Sequence, residues 1–169
     1  METMEALLTR RSIRKYQSRP VSEEDLQSIL EAAMCTPSAR NQQPWHFVVI
    51  RDRVLLDRIP EAHPYSSMMR EVSLAVLVCC DPALEKTEGY WVQDCAAATE
   101  NLLLAVHALG LAGVWLGVYP REERMSGLGA LFSLPRGIIP FSLIPIGYPA
   151  ETKGREERYR VDRIHLNRW

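Results

Sequence analysis

The feature that most constrains the fold is a nearly continuous apolar run from Leu74 to Cys80, which Asp81 and Pro82 end. A run of this length and composition is typical of a strand buried in the middle of a sheet. Segments whose apolar residues return with helical spacing lie before and after it in the sequence. Because helices and strands alternate in this way, the sequence predicts a layered sandwich of the α/β or α+β class.

The helices are predicted from apolar spacing and from the residues that start or stop a helix. The predicted helices cover residues 4–12, a segment that starts at residues 22–25 and that Pro37 stops, residues 53–59 ended by Pro60, residues 90–109, and residues 122–132. The second of them starts with a sequence that resembles a capping box. The helix over 90–109 is apolar around most of its circumference, which indicates burial, and Gly110 is its expected C-terminal cap.

The other strands are predicted from short runs of β-branched and aromatic residues. They cover residues 46–50, 113–119 and 141–147, beside the run at 74–80. With 169 residues the chain is most simply one domain that buries its own core. Residues 151–169 differ from the rest of the chain, because they carry many charges and too few apolar residues to form a core of their own. We predict that this tail is an arm laid across another surface; disorder is the alternative.

Charge and composition exclude several classes of function. The formal net charge of −1 provides no broad basic field for nucleic acid. No apolar run approaches the length of about 20 residues that spans a bilayer, and the N-terminus lacks a signal-peptide core. The cysteines form no CxxC pair, so we expect buried, reduced thiols, no zinc site and a cytoplasmic protein. They are Cys35, Cys79, Cys80 and Cys95.

No common nucleotide, hydrolase or metal motif occurs in the sequence. No GxGxxG or GxxxxGK[ST] pattern is present, and no pair of carboxylates stands out for hydrolysis. The four histidines are too scattered for a metal site, and His107, on an apolar helix, is interpreted as a satisfied core residue. The sequence therefore names no acid or base for catalysis.

Two basic clusters are candidates for binding a phosphate group. Arg10, Arg11 and Arg14 lie close together around Ser12, and guanidinium groups suit phosphate oxygens. The alternative is a solvated helix end whose cations face the helix dipole. The second cluster is Lys153-Gly154-Arg155, for which the alternative is an ordinary surface turn.

A polar loop from Pro37 to Trp45 is a candidate for binding a flat polar ring. Asn41, Gln42 and Gln43 offer donors and acceptors, while Ser38 and Ala39 allow a close backbone approach. The alternative is an ordinary loop between a helix and a strand. Farther along, Gly117 would let its strand approach a ring closely, or it is a packing glycine.

Together these segments resemble the nitroreductase family of FMN-dependent oxidoreductases. The family carries an RRSxRxF/Y motif near its N-terminus, a PSxxNxQPW motif after the next helix, a GLGxxWxG segment, and an IGxP-like turn followed by a basic K-x-R segment. The resemblance implies that the basic residues bind the FMN phosphate and that the others lie near the flavin ring. The implied FMN-binding residues are Arg10, Arg11, Ser12, Arg14, Pro37, Ser38, Ala39, Asn41, Gln42, Leu116, Gly117, Lys153 and Arg155.

The resemblance also implies an architecture and an activity. The expected fold is a three-layer α/β/α sandwich of the α+β class, which forms a homodimer that exchanges its C-terminal arms and holds one FMN at each of two interface sites. NAD(P)H would reduce the flavin and leave, and a small organic oxidant would then take the electrons, giving ping-pong kinetics. The alternatives are a non-catalytic FMN protein for storage or redox sensing, and a flavin-fragmenting or dehalogenating member of the same fold.

Overall fold

The computed structural model describes the whole chain, Met1–Trp169. The helices are α1 (Thr3–Thr9), α2 (Glu23–Met34), α3 (Arg53–Ala62), α4 (Trp91–Ala108) and α5 (Glu122–Leu131). The strands are β1 (Trp45–Ile50), β2 (Leu74–Cys80), β3 (Ala112–Gly113), β4 (Leu116–Gly117) and β5 (Ile139–Gly147). Short 3-10 turns lie at Ala39–Asn41, Ser67–Arg70, Pro82–Leu84 and Val161–Arg163.

The strands form one antiparallel sheet with β2 and β5 at its centre. The order is β1-β2-β5-β3, and β4 also pairs with β5. Every residue of β2 is buried, which confirms the prediction of a central strand. Its residues point alternately to the two faces of the sheet. Val76 and Val78 pack on the face that carries α2 and α4, while Ala75 and Leu77 pack on the face that carries α3 and α5.

Two hydrophobic cores result, one on each side of the sheet, and the predicted three-layer α/β/α sandwich is confirmed. On one side the core is built around Ile29 of α2 and Leu102 of α4, both fully buried. On the other it is built around Ile59 of α3 and Leu128 of α5, which are also fully buried. No helix of the protein is both long enough and apolar enough to cross a membrane.

Three predicted elements differ from the structure, and each difference has a local cause. The first helix ends at Thr9 and not at residue 12, because Ser12 bridges Gly113 and the Ile13 N–H donates to the Gly113 carbonyl. The helix predicted to stop at Pro60 continues to Ala62. A proline deletes one helical hydrogen bond, and the buried residues of α3 and the bond from the His63 N–H to the Ile59 carbonyl keep the turn in place.

The strand predicted over 113–119 is wrong as a continuous element, since it is split into β3 and β4. Gly113 pairs with Ile146 and Leu116 pairs with Leu143, so both halves share one register with β5. In that register Pro145 stands opposite Val114, and proline has no N–H for the ladder. The split therefore follows from the sequence of the partner strand.

The remaining boundaries lie within two residues of their predicted positions. Gly110 has a φ of +74° directly after α4, as expected for a glycine that caps a helix. Cys79, Cys80 and Cys95 are buried free thiols, as predicted. The prediction is wrong for Cys35, which is exposed because it caps the C-terminus of α2 beyond the apolar face of that helix.

Gly127 and Gly129 of α5 allow a matched test of packing between α3 and α5. A Cβ added at Gly127 would lie 2.9 Å from the Cβ of Ala62, whereas one added at Gly129 meets nothing within 4 Å. Overpacking costs about 1–3 kcal/mol and alanine is favoured over glycine in a helix by about 1 kcal/mol, so Gly127→Ala should lower the free energy of unfolding by up to about 2 kcal/mol. Gly129→Ala should raise it by about 0.5–1 kcal/mol. Urea unfolding measures both changes, and shifts of the same sign would contradict this account of the helix contact.

Candidate functional site

The segment after α1 is held against the start of the C-terminal tail by backbone hydrogen bonds. Tyr16 forms an antiparallel bridge with Pro149, and the Gln17 N–H donates to the Tyr148 carbonyl at 2.9 Å. The Ala150 N–H donates to the Lys15 carbonyl at 2.9 Å. This pairing brings the two basic clusters, which lie at opposite ends of the sequence, to one edge of the sheet.

Arg11 and Lys153 join these two clusters directly. The Arg11 Nε donates to the Gly154 carbonyl at 2.7 Å, and its Nη1 donates to the Arg10 carbonyl at 3.0 Å. The Lys153 Nζ donates to the Ser12 carbonyl at 2.7 Å. The two segments predicted to bind one phosphate therefore contact each other in the folded chain.

A small cavity lies beside these cations. It has a volume of about 150 Å³, and its wall includes Arg10, Arg11 and Lys153. The Nη2 atom of Arg11 is buried and has no hydrogen-bond partner in the protein. A buried guanidinium donor without a partner is costly, so Arg11, which lines the cavity, keeps one donor that the protein leaves unused.

Carboxylates partly balance the charge of the cluster. The Arg10 Nε lies 3.2 Å from the Glu100 Oε1 on α4. The Glu151 carboxylate accepts from the Arg14 N–H at 2.7 Å and lies 3.5 Å from the Lys153 Nζ. That backbone N–H, helped by Lys153, holds the pKa of Glu151 below its ordinary value. The sequence analysis missed both glutamates, because no sequence pattern links them to the arginines.

Not every residue predicted for the phosphate reaches the cavity. Ser12 contributes its carbonyl to Lys153, as described above. The Arg14 side chain is exposed, and only its backbone N–H joins the cluster through Glu151. Arg155 is also exposed, and its Nε lies 4.0 Å from the Glu157 carboxylate. Roles for Arg14 and Arg155 in binding a phosphate stay predictions.

His107 is not the core residue that the sequence analysis expected. It is half-buried, lines the same cavity, and places its Nε2 2.8 Å from the Thr9 Oγ1. The expectation is wrong because the first helix ends at Thr9 and leaves this face of α4 against the cavity. Its position could not be found from the spacing of α4 alone.

The polar loop is held in a strained conformation. Arg40, Asn41 and Gln43 have φ angles of 49°, 52° and 48°, in the left-handed region that non-glycine residues seldom adopt. Such strain persists where the surrounding structure enforces it, often at binding sites. Here Asp94 of α4 enforces it, since its carboxylate accepts from the Ala39 N–H at 2.9 Å and from the Gln42 Nε2 at 2.6 Å.

The side chain of Gln42 is buried and takes part in holding this loop. Its Oε1 accepts from the backbone N–H groups of Lys86 and Thr87 at 2.8 and 3.1 Å. Pro37 and Asn41 are exposed, while Ser38 and Ala39 are half-buried. The exposed polar side chains of this loop are Arg40, Asn41 and Gln43, and the Gln43 Nε2 donates to the Asn41 Oδ1 at 2.8 Å. Contact of the loop with a ring stays a prediction. The sequence analysis missed Asp94 as the anchor of the loop.

Gly117 combines an anchored carbonyl with open space beside its Cα. The carbonyl accepts from the Arg124 Nη1 at 2.7 Å and from the His63 Nε2 at 3.1 Å. Burial lowers the pKa of His63, which favours the neutral ring at this contact. A Cβ at Gly117 would meet no atom within 4 Å, so a flat group can approach this backbone. The neighbouring Leu116 is buried and packs in the core.

A single chain does not bring the three regions into one cavity. The residues that line the cavity beside Arg11 do not include any residue of the 37–45 loop. They also do not include Leu116 or Gly117. Asp94, which anchors the loop, and Glu100, which contacts Arg10, are six residues apart on α4. That spacing is about 9 Å along the helix axis. One chain thus presents a basic half-site and a separate polar half-site.

The sequence and the fold of the chain are similar to those of known proteins. The Nitroreductase family model matches residues 7–63 and 61–148. A protein of Methanothermobacter thermautotrophicus, described as a candidate NADH dehydrogenase/NAD(P)H nitroreductase, is 56% identical over 169 residues, which are 100% of this chain and 88% of that protein.

Two solved structures are similar over almost the full length of both chains. A candidate NADH dehydrogenase/NAD(P)H nitroreductase of Parabacteroides distasonis has a TM-score of 0.94 and 39% identity, with 99% of this chain and 98% of that chain covered. A candidate nitroreductase of Desulfovibrio desulfuricans, solved in complex with FMN, has a TM-score of 0.85 and 33% identity, with 99% and 97% covered. From the match of its sequence and of its three-layer fold, the chain belongs to the nitroreductase family.

Proposed function

We propose that this protein is an FMN-dependent oxidoreductase that transfers electrons from NAD(P)H to a small organic oxidant with ping-pong kinetics. A nitro compound or a quinone is a suitable oxidant. Membership of the nitroreductase family and the relative that was solved with FMN support the cofactor. The observation that carries the proposal is the buried, unpartnered Nη2 of Arg11 beside a cavity that Arg10 and Lys153 also line.

The residues at this cavity fit the phosphate group of FMN. Arg10, Arg11 and Lys153 supply positive charge, and the unpartnered Nη2–H of Arg11 can donate a hydrogen bond to a phosphate oxygen. Guanidinium groups stay charged at every relevant pH, so the charge that the two arginines offer to an anion persists throughout the physiological range. A ligand without a phosphate would leave this donor unused.

The other half-site fits a flat ring that carries polar groups on its edge. The strained backbone of residues 39–43 and the exposed Asn41 amide provide donors and acceptors. Gly117 leaves room for a ring beside its backbone. FMN, when bound, supplies the electron-carrying chemistry. The chain's own residues bind the phosphate and orient the ring, and we assign none of them as an acid or a base.

We infer that the two half-sites meet across a homodimer. A face around α1 is apolar and exposed in the single chain, although monomers rarely leave such faces uncovered. The exposed apolar residues are Met4, Leu7 and Leu8 on α1, together with Met34 at the end of α2 and Leu109 directly after α4. A second copy would cover the face and bring the polar loop of one chain toward the basic cavity of the other.

The C-terminal tail supports the same assembly. The exposed fractions of Tyr159, Leu166 and Trp169 are 79%, 85% and 101%, so these side chains do not pack on the core of their own chain. We propose that residues 1–169 form one domain whose arm, residues 151–169, packs on the partner subunit. The cytoplasmic location stays a prediction.

The absorption spectrum of the purified protein tests the proposed function. We expect a yellow protein that releases FMN, and not riboflavin, on denaturation. Under anaerobic conditions NADH or NADPH should bleach the flavin band, and a nitro compound or quinone should restore it. Colourless protein that cannot be reconstituted with FMN would contradict the proposal. Bound FMN that neither pyridine nucleotide reduces would favour a storage or sensing protein.

A further inference from the structure

His107 occupies an unusual position for a histidine on an apolar helix. It lies near the C-terminal end of α4 and lines the same cavity as Arg10, Arg11 and Lys153. It is half-buried, and it contacts α1 through the Thr9 hydroxyl at 2.8 Å. A titratable ring therefore faces the place where the cations converge.

The hydrogen bonds around Thr9 identify the nitrogen of His107 that can titrate. The Thr9 Oγ1 lies 2.7 Å from the Glu5 carbonyl, which can only accept, so the hydroxyl proton points to Glu5. The Thr9 oxygen then accepts from the Nε2–H of His107. This leaves Nδ1 as the nitrogen that gains or loses the proton when the ring titrates, and no hydrogen bond of the protein engages it.

The charges around His107 oppose protonation in the chain alone. Burial, together with the Arg10 guanidinium, holds the pKa of His107 below its ordinary value, while Glu5 acts weakly in the other direction. The charged groups that line the cavity, contact its cations or act on the His107 charge come from α1, α4, the segment after α1 and the tail. They are the cations Arg10, Arg11 and Lys153, and the carboxylates Glu5, Glu100 and Glu151.

We propose that His107 is a further residue of this anion site, which takes up a proton at Nδ1 when a phosphate group binds beside Arg11 and Lys153. The inference rests on the proposed function, because FMN supplies the phosphate. Two added negative charges outweigh the repulsion from Arg10 and favour the imidazolium. The pKa of His107 is then higher in the complex than in the free protein.

The linkage between proton uptake and FMN binding decides the direction in which FMN affinity changes with pH. A protein group whose pKa rises when FMN binds makes binding tighter at pH values below its pKa in the free protein. This gain in affinity is lost as the pH rises through the pKa of the group in the complex. The contribution of His107 to FMN affinity should therefore grow as the pH falls. The second ionisation of the phosphate, with a pKa near 6, weakens binding in the same range. A variant that lacks only the imidazole separates the two effects.

Titration of the apoprotein with FMN between about pH 5 and about pH 8, followed by flavin fluorescence, tests the proposal. His107→Gln keeps an amide N–H that can donate to Thr9 but cannot take a charge. His46→Gln is the matched control, since His46 is exposed on β1, at the opposite edge of the sheet from β3. Riboflavin serves as the ligand that has the same ring and no phosphate.

The ratio of wild-type to His107→Gln affinity for FMN should rise about threefold to tenfold from the highest to the lowest pH, because only the wild type gains a charge on this side chain. The His46→Gln protein should follow the wild type, and the affinity for riboflavin should show no such change. Parallel profiles for the wild type and His107→Gln would overturn the inference, and so would an equal change with riboflavin.

A measurement on the wild type guards against a variant that fails to fold. The ring proton shifts of His107 in the NMR spectrum report its pKa with and without FMN, and we expect the value to rise on binding. An unchanged value would overturn the inference and leave the proposed function intact. A protein that binds no FMN at any pH would instead contradict the proposed function.

Discussion

Deletion of residues 159–169 should separate the dimer into monomers and lower FMN occupancy at the same time. The deleted segment carries Tyr159, which is 79% exposed, and Trp169, whose ring stacks on His165 of the same tail. Each aromatic anchor of an interface contributes about 2 kcal/mol or more, which is roughly thirtyfold in the dimer dissociation constant. If each site combines a cavity of one chain with a loop of the other, loss of the dimer lowers FMN affinity by linkage.

Sedimentation velocity and flavin absorbance on the same samples measure both effects. The deletion leaves Lys153 and Gly154 in place, so the contacts of the cavity wall are retained. A full-length control with serine at positions 159, 161, 164, 166 and 169 removes the apolar side chains but not the chain, and it should behave like the deletion. A truncated protein that remains a fully loaded dimer would show that the arm is dispensable.

Arg11→Ala should lower FMN affinity by about tenfold to a hundredfold. The substitution removes the free Nη2 donor beside the cavity, and a charge-assisted hydrogen bond contributes roughly 1.5–3 kcal/mol. It also removes the contact between the Arg11 Nε and the Gly154 carbonyl, which helps to place Lys153. Titration of the apoprotein with FMN gives the change directly.

Two comparisons show whether the lost affinity belongs to the phosphate. Arg136→Ala removes the same charge from an exposed turn outside the cavity and should leave FMN affinity unchanged. Riboflavin should bind the Arg11→Ala protein and the wild type equally well. If the affinity for riboflavin fell as much as that for FMN, the variant would have damaged the fold and not the phosphate contact. Unchanged FMN affinity would mean that the phosphate binds elsewhere.

The local signals of the sequence predicted most of the fold. The apolar run of β2 and the helical spacing of α2 and α4 depend on residues a few positions apart, so the sequence reports them directly. Two of the wrong predictions, the end of the first helix and the continuous strand after α4, were decided by a distant residue. Ser12 left the predicted helix because it pairs with Gly113, and the strand after α4 split because Pro145 of β5 stands opposite it.

In the candidate site, too, some residues could be predicted from the local sequence and others depend on contacts with distant parts of the chain. The basic segments and the polar loop stand out by residue type, because clustered guanidinium groups and amides are visible in the sequence. Asp94, Glu100 and Glu151 could not be found in this way, since each acts on a partner in another element. The role of His107 was misread for the same reason, because its surroundings are set by the end of α1.

The sequence by itself determined which segments are helix or strand, that β2 is buried, and which residues carry chemistry suited to a phosphate and a ring. These are local properties, which follow from periodicity, turn residues and side-chain type. Only the tertiary structure decided which of those residues share a cavity. The contact between Arg11 and Gly154 joins positions 143 residues apart and depends on where β5 delivers the tail. The tertiary structure also decided that a single chain keeps the basic half-site and the polar half-site apart. Their separation depends on where each half-site contacts α4, at Glu100 for the basic one and at Asp94 for the polar one.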